Sequence, residues 1–337
     1  MTSTPQKRFL VTGGAGFIGS HLSELLVARG FHVTVVDDLS TGRVVNMASL
    51  SGNPAFQFVR ASILDDIVLD RLASTADVVV HLAAAVGVKL IVERPVHTIE
   101  TNIMGAEAVL RAALRYGSRV VIASTSEVYG KGVRIPFSED DDVSLGPTCM
   151  SRWAYAASKM VDEFLGLAYH REHGLEVVPV RLFNTVGPRQ VGRYGMVVPR
   201  FLQQALAGEP ITVYGDGEQR RCFCDVRDVV EALADLAEHD GAAGRVFNVG
   251  SNEEVSINEL AQRVQRLAGS ASAIVHIPYS EAYAPGFEDM MRRVPDISRT
   301  RDAIGWSPTR TLDDILRDTL AYQRAQPEEG AASGGVE

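Results

Sequence analysis

The sequence predicts an α/β fold: a doubly wound parallel sheet (Rossmann arrangement) with a smaller interleaved C-terminal substrate lobe. Three observations predict it. An apolar run at residues 9–11 enters Thr12-Gly13-Gly14, followed by Gly16, Gly19 and a helical pattern over 20–29. Short apolar runs then alternate with longer amphipathic stretches, as they do when strands buried on both faces are joined by helices. An acidic pair, Asp37 and Asp38, closes the second apolar run (32–36), 18 and 19 residues after Gly19. That is close to the spacing at which a carboxylate receives adenosine ribose hydroxyls.

The first element is an anion-binding device. Glycines let the backbone turn tightly and approach a pyrophosphate, and unpaired N–H groups at a helix start face it. Further strands are expected at 56–60, at 78–82 ending in His81-Leu82-Ala83-Ala84, at 119–123 before Ser124-Thr125-Ser126-Glu127, and at 177–181. Helices are expected at 66–74, 96–116 and 155–173. The pattern changes after Asn184. A glycine-bearing loop (187–195) leads to a helix at 198–207, a strand at 211–214, a helix at 226–239 and a strand at 246–249. Ser256 and Glu259 form a capping-box start for a helix at 257–267. A short strand at 276–278 and a helix at 312–324 follow. The segmentation gives a nucleotide-binding domain of residues 1–188 plus 225–251. A substrate lobe takes 189–224 plus 252–326, and residues 327–337 form a disordered tail with one apolar side chain larger than alanine.

Bulk composition sets limits. The chain has 337 residues, 46% of them hydrophobic, enough for one large domain or a domain plus a lobe. A net charge of −9 argues against nucleic acid. Cys149, Cys222 and Cys224 suggest no disulfide framework, and Cys222-Phe223-Cys224 lacks zinc-ligand spacing, so no metal is expected. No apolar signal region precedes the first strand, and the apolar run near 78–88 is too short to span a bilayer. A soluble cytoplasmic protein without membrane contact is expected.

Tyr155 and Lys159 stand at i and i+4 of one helix and share a face. A nearby ammonium favours phenolate and so fits Tyr155 for general-base work.

With these residues in view, the chain resembles the extended short-chain dehydrogenase/reductases acting on nucleotide sugars, the NAD-dependent epimerase/dehydratase family. The likeness runs over 9–324. It rests on TGGAGFIG (12–19), DDLSTG (37–42), HLAA (81–84), TNIMG (101–105), STSEVYG (124–130), YAASK (155–159), FNTVGPR (183–189), YGDGEQRRCF (214–223) and VPDISR (294–299). The resemblance implies NAD on Gly13, Gly16, Phe17, Ile18 and Gly19, with Asp37 on the ribose, which disfavours NADP. It adds Ser40, Thr41, Gly42, Ser62, Ile63, Leu82, Ala83, Ala84 and Asn102 to the cofactor set. Ser62-Ile63 departs from the family's usual Asp-aliphatic pair at the adenine. Tyr155 is implied as the base and Lys159 as the ligand of the nicotinamide ribose. Val86, Gly87, Asn184, Val198, Arg200, Val213, Tyr214, Arg221 and Arg293 are implied for the nucleotide sugar. A homodimer is implied, the helices at 96–116 and 152–173 packing against their copies.

The family oxidises the sugar at C4, with Thr125 hydrogen-bonding the developing ketone. Ser126-Glu127 resembles the UDP-glucuronic acid decarboxylases, UDP-xylose synthases among them, as do Arg152-Trp153 and Arg221-Cys222-Phe223. The expectation is decarboxylation of UDP-glucuronic acid through a 4-keto intermediate to UDP-xylose, UDP-4-keto-pentose or both. Thr125, Ser126, Glu127, Tyr155, Lys159 and Arg221 are then the catalytic set. The loop Ala85-Val86-Gly87-Val88-Lys89-Leu90-Ile91 departs from the Ser-Pro and Tyr common in UDP-xylose synthases. A UDP-hexose or UDP-hexuronate 4-epimerase, a nucleotide-sugar 4,6-dehydratase and a non-catalytic NAD or nucleotide-sugar sensor are the alternatives.

Overall fold

The computed structural model describes residues 6–87, 94–192, 196–282 and 290–326. Seven strands form the central sheet: β1 (Arg8–Thr12), β2 (His32–Asp37), β3 (Phe56–Arg60), β4 (Val78–His81), β5 (Arg119–Thr125), β6 (Val177–Leu182) and, late in the chain, β11 (Phe247–Val249). Their order is β11-β6-β5-β4-β1-β2-β3, and every neighbouring pair is parallel. The fold is the doubly wound α/β sheet. Strand order reverses at β1, between β2 and β4, and ligands bind beyond the strand C-termini at such a point.

Alternation along the strands explains the two helix layers. Phe9, Val11, Val33, Val35, Val78, Val80 and Val121 face one core with Leu22 and Leu26 of α1 (Phe17–Ala28). Leu10, Val36, Val79, Val120 and Ile122 face the other, with Leu69 of α2 (Asp66–Ala73) and Val109 and Leu110 of α3 (Pro95–Tyr116). Period-two side chains buried on both faces make the sheet a slab between helices. The long helix α4 (Arg152–His173) packs on α3 and lies along β5 and β6.

Two of these helices start earlier than the sequence pattern suggests. α1 begins at Phe17, because extended Gly16 (φ −74°, ψ −176°) ends the turn and the helix starts at once. α4 begins at Arg152 instead of Tyr155, so its first turn also carries site residues.

A second hydrophobic cluster gathers Val186, Val198, Phe201, Leu202, Ile211, Val213, Phe223, Leu260, Val264, Ile315 and Leu316. It joins α5 (Val197–Ala207), α7 (Ile257–Ala268) and α9 (Leu312–Ala325) to β8 (Ile211–Tyr214), which pairs with β13 (Ile274–Ile277). Capping boxes start α7 at Ser256 and α9 at Thr311. β7 (Thr185–Val186) pairs with β10 (Cys224–Asp225). β9 (Arg220–Cys222) lies between β12 (Glu254–Ser256) and β14 (Arg292–Arg293), a three-stranded sheet with no sequence signal of its own. α6 (Val226–Glu238) returns to pack on α1, and α8 (Ser298–Ile304) packs against β11 and α6. The tail at 327–337 lies outside the described residues.

Candidate active site

The glycine turn lies between β1 and α1, against the end of β4. Gly13 has φ +69°, and a Cβ there would stand 2.7 Å from the Ala83 nitrogen. A Cβ on Gly19 would stand 2.4 Å from the Gly13 oxygen. Only glycine permits this packing. Gly16 caps α1 with no side-chain hydrogen bond, and the helix's first turn holds no acid. Phe17 and Ile18 open the helix. Its first N–H groups and dipole are therefore available to a pyrophosphate.

Asp37 closes β2 beside this turn. Its Oδ2 accepts from the Ala15 N–H at 3.0 Å and its Oδ1 from Leu39 N–H at 2.8 Å. Burial pushes its carboxyl up, and these two N–H groups pull it back. A carboxylate has about four acceptor sites, so Asp37 retains capacity for a hydroxyl pair. Gly42 presses on this carboxylate, with Ser40 and Thr41 exposed beside it. Ser62 Oγ accepts from Leu64 N–H at 3.2 Å. Ile63 is packed in the core, against Gly105. Leu82, Ala83 and Ala84 are half-buried at the end of β4. The open helix start and glycine cradle, with a carboxylate on the neighbouring strand, fit a dinucleotide.

The reactive side chains converge from β5 and α4. Thr125 ends β5, and Ser126 and Glu127 open the 3-10 turn Ser126–Tyr129. The Thr125 side-chain oxygen accepts from Glu127 N–H at 3.3 Å and lies beside the Tyr155 phenol, on which it acts. Burial raises the Tyr155 phenol well above its ordinary value, and the Glu127 and Asp162 charges add to the rise; Thr125 and Arg152 act the other way. Lys159 does not simply face the phenol as the sequence spacing suggests. Its Nζ donates to Asp162 Oδ2 at 2.7 Å. Asn102 straps the neighbouring loop to α4: its Oδ1 accepts from Ala85 N–H at 2.8 Å and its Nδ2 donates to Ser158 Oγ at 3.0 Å.

Glu127 is held by two buried arginines. Arg152 Nη1 reaches Glu127 Oε2 at 3.0 Å, and Arg293 Nη1 is 3.6 Å from Oε1. Arg293 Nη1 also lies 3.5 Å from Ser126 Oγ. Arg221 is the register partner of Arg293 on paired strands β9 and β14, and it is buried too. Its Nη1 donates to the Arg220 carbonyl at 2.8 Å. The structure thus joins Thr125, Ser126, Glu127 and Tyr155 into one group with Arg293, with Arg221 beside Arg293.

The other substrate residues are spread more widely. Asn184 Nδ2 donates to the Cys222 carbonyl at 2.9 Å, tying the end of β6 to β9. The Arg200 guanidinium sits 3.8 Å from the Tyr214 ring centroid and donates to the Thr212 carbonyl at 3.0 Å. Val198 and Val213 are packed inside the second cluster, so it is their backbone that a ligand can meet. Val86 is exposed and Gly87 buried at φ +119°. Val88, Lys89, Leu90 and Ile91 lie outside the described residues. No helix among the described residues is long and apolar enough to cross a membrane, and no group of three or more His, Cys, Asp or Glu side chains there can hold a metal.

The family model described as GDP-mannose 4,6 dehydratase matches residues 10–319. The chain belongs to this family. It is 45% identical to a UDP-N-acetyl-alpha-D-glucosaminuronate decarboxylase of Bacillus cytotoxicus, over 95% of this chain and 98% of the relative. It is 37% identical to UDP-glucuronic acid decarboxylase 1 of Xenopus tropicalis, over 98% of this chain and 75% of the relative. The structure of Thermus thermophilus UDP-glucose 4-epimerase in complex with NAD superposes with a TM-score of 0.81 and 34% identity, covering 94% of this chain and 99% of that one.

In this dehydratase-family chain, site selection from sequence omitted Arg152 and Asp162, although both lie on α4 beside Tyr155 and Lys159. It also passed over His81. Thr12 Oγ1 and His81 Nδ1 lie 2.8 Å apart, joining β1 to β4, and Ala83 N–H donates to the same Thr12 oxygen at 3.2 Å. Burial, with Lys159 adding, drives the His81 imidazole from 6.5 down to about 3. The folded chain therefore holds His81 neutral where the unfolded chain protonates it. Its contribution to stability is complete above pH 6.5 and is lost as pH falls toward 3. We expect urea-unfolding free energies to fall with a His81 component of up to about 1.4 kcal/mol per pH unit in that window. His81→Asn should flatten that slope; an unchanged slope contradicts the assignment.

Proposed function

We propose that this chain is an NAD-dependent decarboxylase of a UDP-hexuronate, with UDP-glucuronic acid as substrate and UDP-xylose, UDP-4-keto-pentose or both as product. The observation that carries the reading is the Ser126–Glu127–Arg152–Arg293 cluster beside Tyr155. The decarboxylase names of relatives that match nearly the whole chain support it. NAD is the cofactor. When bound, it supplies a reversible hydride acceptor for sugar C4.

The chain's own residues do the rest. Tyr155, in its phenolate form, takes the proton of the C4 hydroxyl and becomes the phenol, and Thr125 hydrogen-bonds the oxygen that becomes a ketone; the positive charge of a bound nicotinamide ring would favour that phenolate against the burial that holds the phenol up. The C6 carboxylate is then β to a carbonyl. Breaking C5–C6 releases CO2 and leaves the electron pair in the C4–C5 enolate, which a proton at C5 discharges. Enolate charge is stabilised by donors and cations already in place. Arg152, Arg221 and Arg293 are buried and gather on one side of the site, two of them on Glu127. Guanidinium forks match the oxygens of a carboxylate or diphosphate. Ser126 and Glu127 border the sugar carboxylate, and Glu127 keeps the arginine forks fixed. Domain roles follow: 1–188 plus 225–251 for the cofactor, 189–224 plus 252–326 for the nucleotide sugar, with a cytoplasmic setting.

A second substrate reading is favoured by the Bacillus relative. Its named substrate carries an acetamido group at C2 where UDP-glucuronate has a hydroxyl, and its identity to this chain is the higher of the two relatives. The C2 group takes no part in the bond changes above.

Exposed apolar side chains support a homodimer. Val96 (67% exposed) and Met104 on α3, and Val161 and Phe164 (63%) on α4, lie on two helices that pack together. A second copy would bury them.

Incubation with NAD and either UDP-hexuronate, read by mass spectrometry, should show loss of one CO2 where the hydride is returned, or of CO2 and two hydrogens, with NADH formed, where the 4-keto pentose is released. Unchanged mass with a new chromatographic peak would make the chain a 4-epimerase, and loss of water from a neutral UDP-hexose a dehydratase. Glu127→Ser should lower decarboxylation by about 100-fold while NAD still binds; full activity would remove Glu127 from the mechanism. Light scattering should give twice the 36.5 kDa chain mass, and Phe164→Glu should shift it toward the monomer. A monomer mass for the parent protein contradicts the dimer.

A further inference from the structure

α4 carries two consecutive buried carboxylates behind the active site, and they are treated differently. Glu163 is fully engaged: Ser124 Oγ donates to it, and Arg181 contacts both of its oxygens, Nη2 to Oε2 at 2.8 Å and Nε to Oε1 at 3.0 Å. Asp162 is wholly buried (0% exposed) and is paired with Lys159 (2%). Its other oxygen, Oδ1, has no hydrogen-bond partner among the described residues. An unpaired buried carboxylate is costly, so Lys159 is what keeps Asp162 ionised. The reverse also holds, since an ammonium at that depth needs its anion.

This pairing changes what Lys159 presents to Tyr155. A lone ammonium would favour phenolate strongly, whereas an ion pair presents only a dipole. We propose that Asp162 is a positioning residue: it fixes the Lys159 ammonium on α4 and cancels most of its field at Tyr155. Tyr155 then gives up its proton against a lysine–aspartate pair, not a free cation. The Asp162 charge is one of the influences that hold the phenol up. Among the described residues, the other charged groups near the pair are neutral or matched. His81 at the end of β4 is neutral at working pH, with its Nε2 unpartnered among the described residues. Arg181 on β6 is matched by Glu163. Glu127 after β5 is matched by Arg152 on α4 and Arg293 on β14. Asp162 is therefore the anion whose removal uncovers Lys159.

The proposal rests on Tyr155 as the base, and its test needs no turnover. NAD-loaded protein labelled with 13C at tyrosine Cζ reports the ionisation of Tyr155, assigned by its loss in Tyr155→Phe. In Asp162→Asn the Tyr155 midpoint should fall by about one pH unit or more. Asp162→Glu should restore it toward the parent value. An unmoved or raised midpoint in Asp162→Asn overturns the proposal, whatever the enzyme does to UDP-hexuronates. The double variant Lys159→Met/Asp162→Asn removes both charges and so avoids a buried orphan ammonium if the single variant does not fold. Its midpoint should stay within about half a unit of the parent, because the pair cancels. A rise of more than about one unit would mean that Lys159 acts as an uncompensated cation, which also overturns the proposal.

Discussion

The parallel pairing of β1 with β4 is the constraint on which the site depends. It places Thr12 opposite His81, and their side chains meet at 2.8 Å. From that contact the glycine turn leaves in one direction and the Leu82–Ala84 backbone in the other. Gly13 lies so close to Ala83 that a side chain has no room. The next strand outward, β5, then ends with Thr125 at the same edge, and α4 lies across β5 with Tyr155 over it. Cofactor cradle and reactive side chains share one sheet edge because these strands are parallel, and the crevice opens where strand order reverses.

The charge arrangement follows from burial. Glu127 is held between Arg152 and Arg293, and Glu163 is matched by Arg181. Each of these acids has its cation, and Arg221 lies beside Arg293 on the paired strand. Tyr155 lies within this framework as a buried phenol whose proton is held tightly, by burial first and by neighbouring carboxylates next.

Much of this was legible in the residues. Alternating apolar runs predicted the strands, since burial on both faces leaves few polar positions in them. Glycine spacing located the cradle, because only a missing side chain tolerates that approach. Tyr155 and Lys159 were visible as an i, i+4 pair. The contacts that complete the site were less so. Arg152 and Glu127 are 25 residues apart, and Ser126 and Arg293 are 167 apart. Pairings at such separations leave no local pattern. The β9–β12–β14 sheet was missed for the same reason: its strands are two or three residues long and come from distant parts of the chain. Asp162 was overlooked because, by sequence alone, an acid three residues after a lysine reads as an exposed helical ion pair. Its total burial comes from the packing of α4 on β5 and β6.

The fate of the substrate's carboxyl carbon tests the central claim most directly. With NAD and a UDP-hexuronate labelled with 13C at C6, the account predicts that the label leaves as CO2 with the parent protein and stays in the nucleotide sugar with Tyr155→Phe. Retention of the label by the parent protein, or its release by Tyr155→Phe at the parental rate, would contradict it.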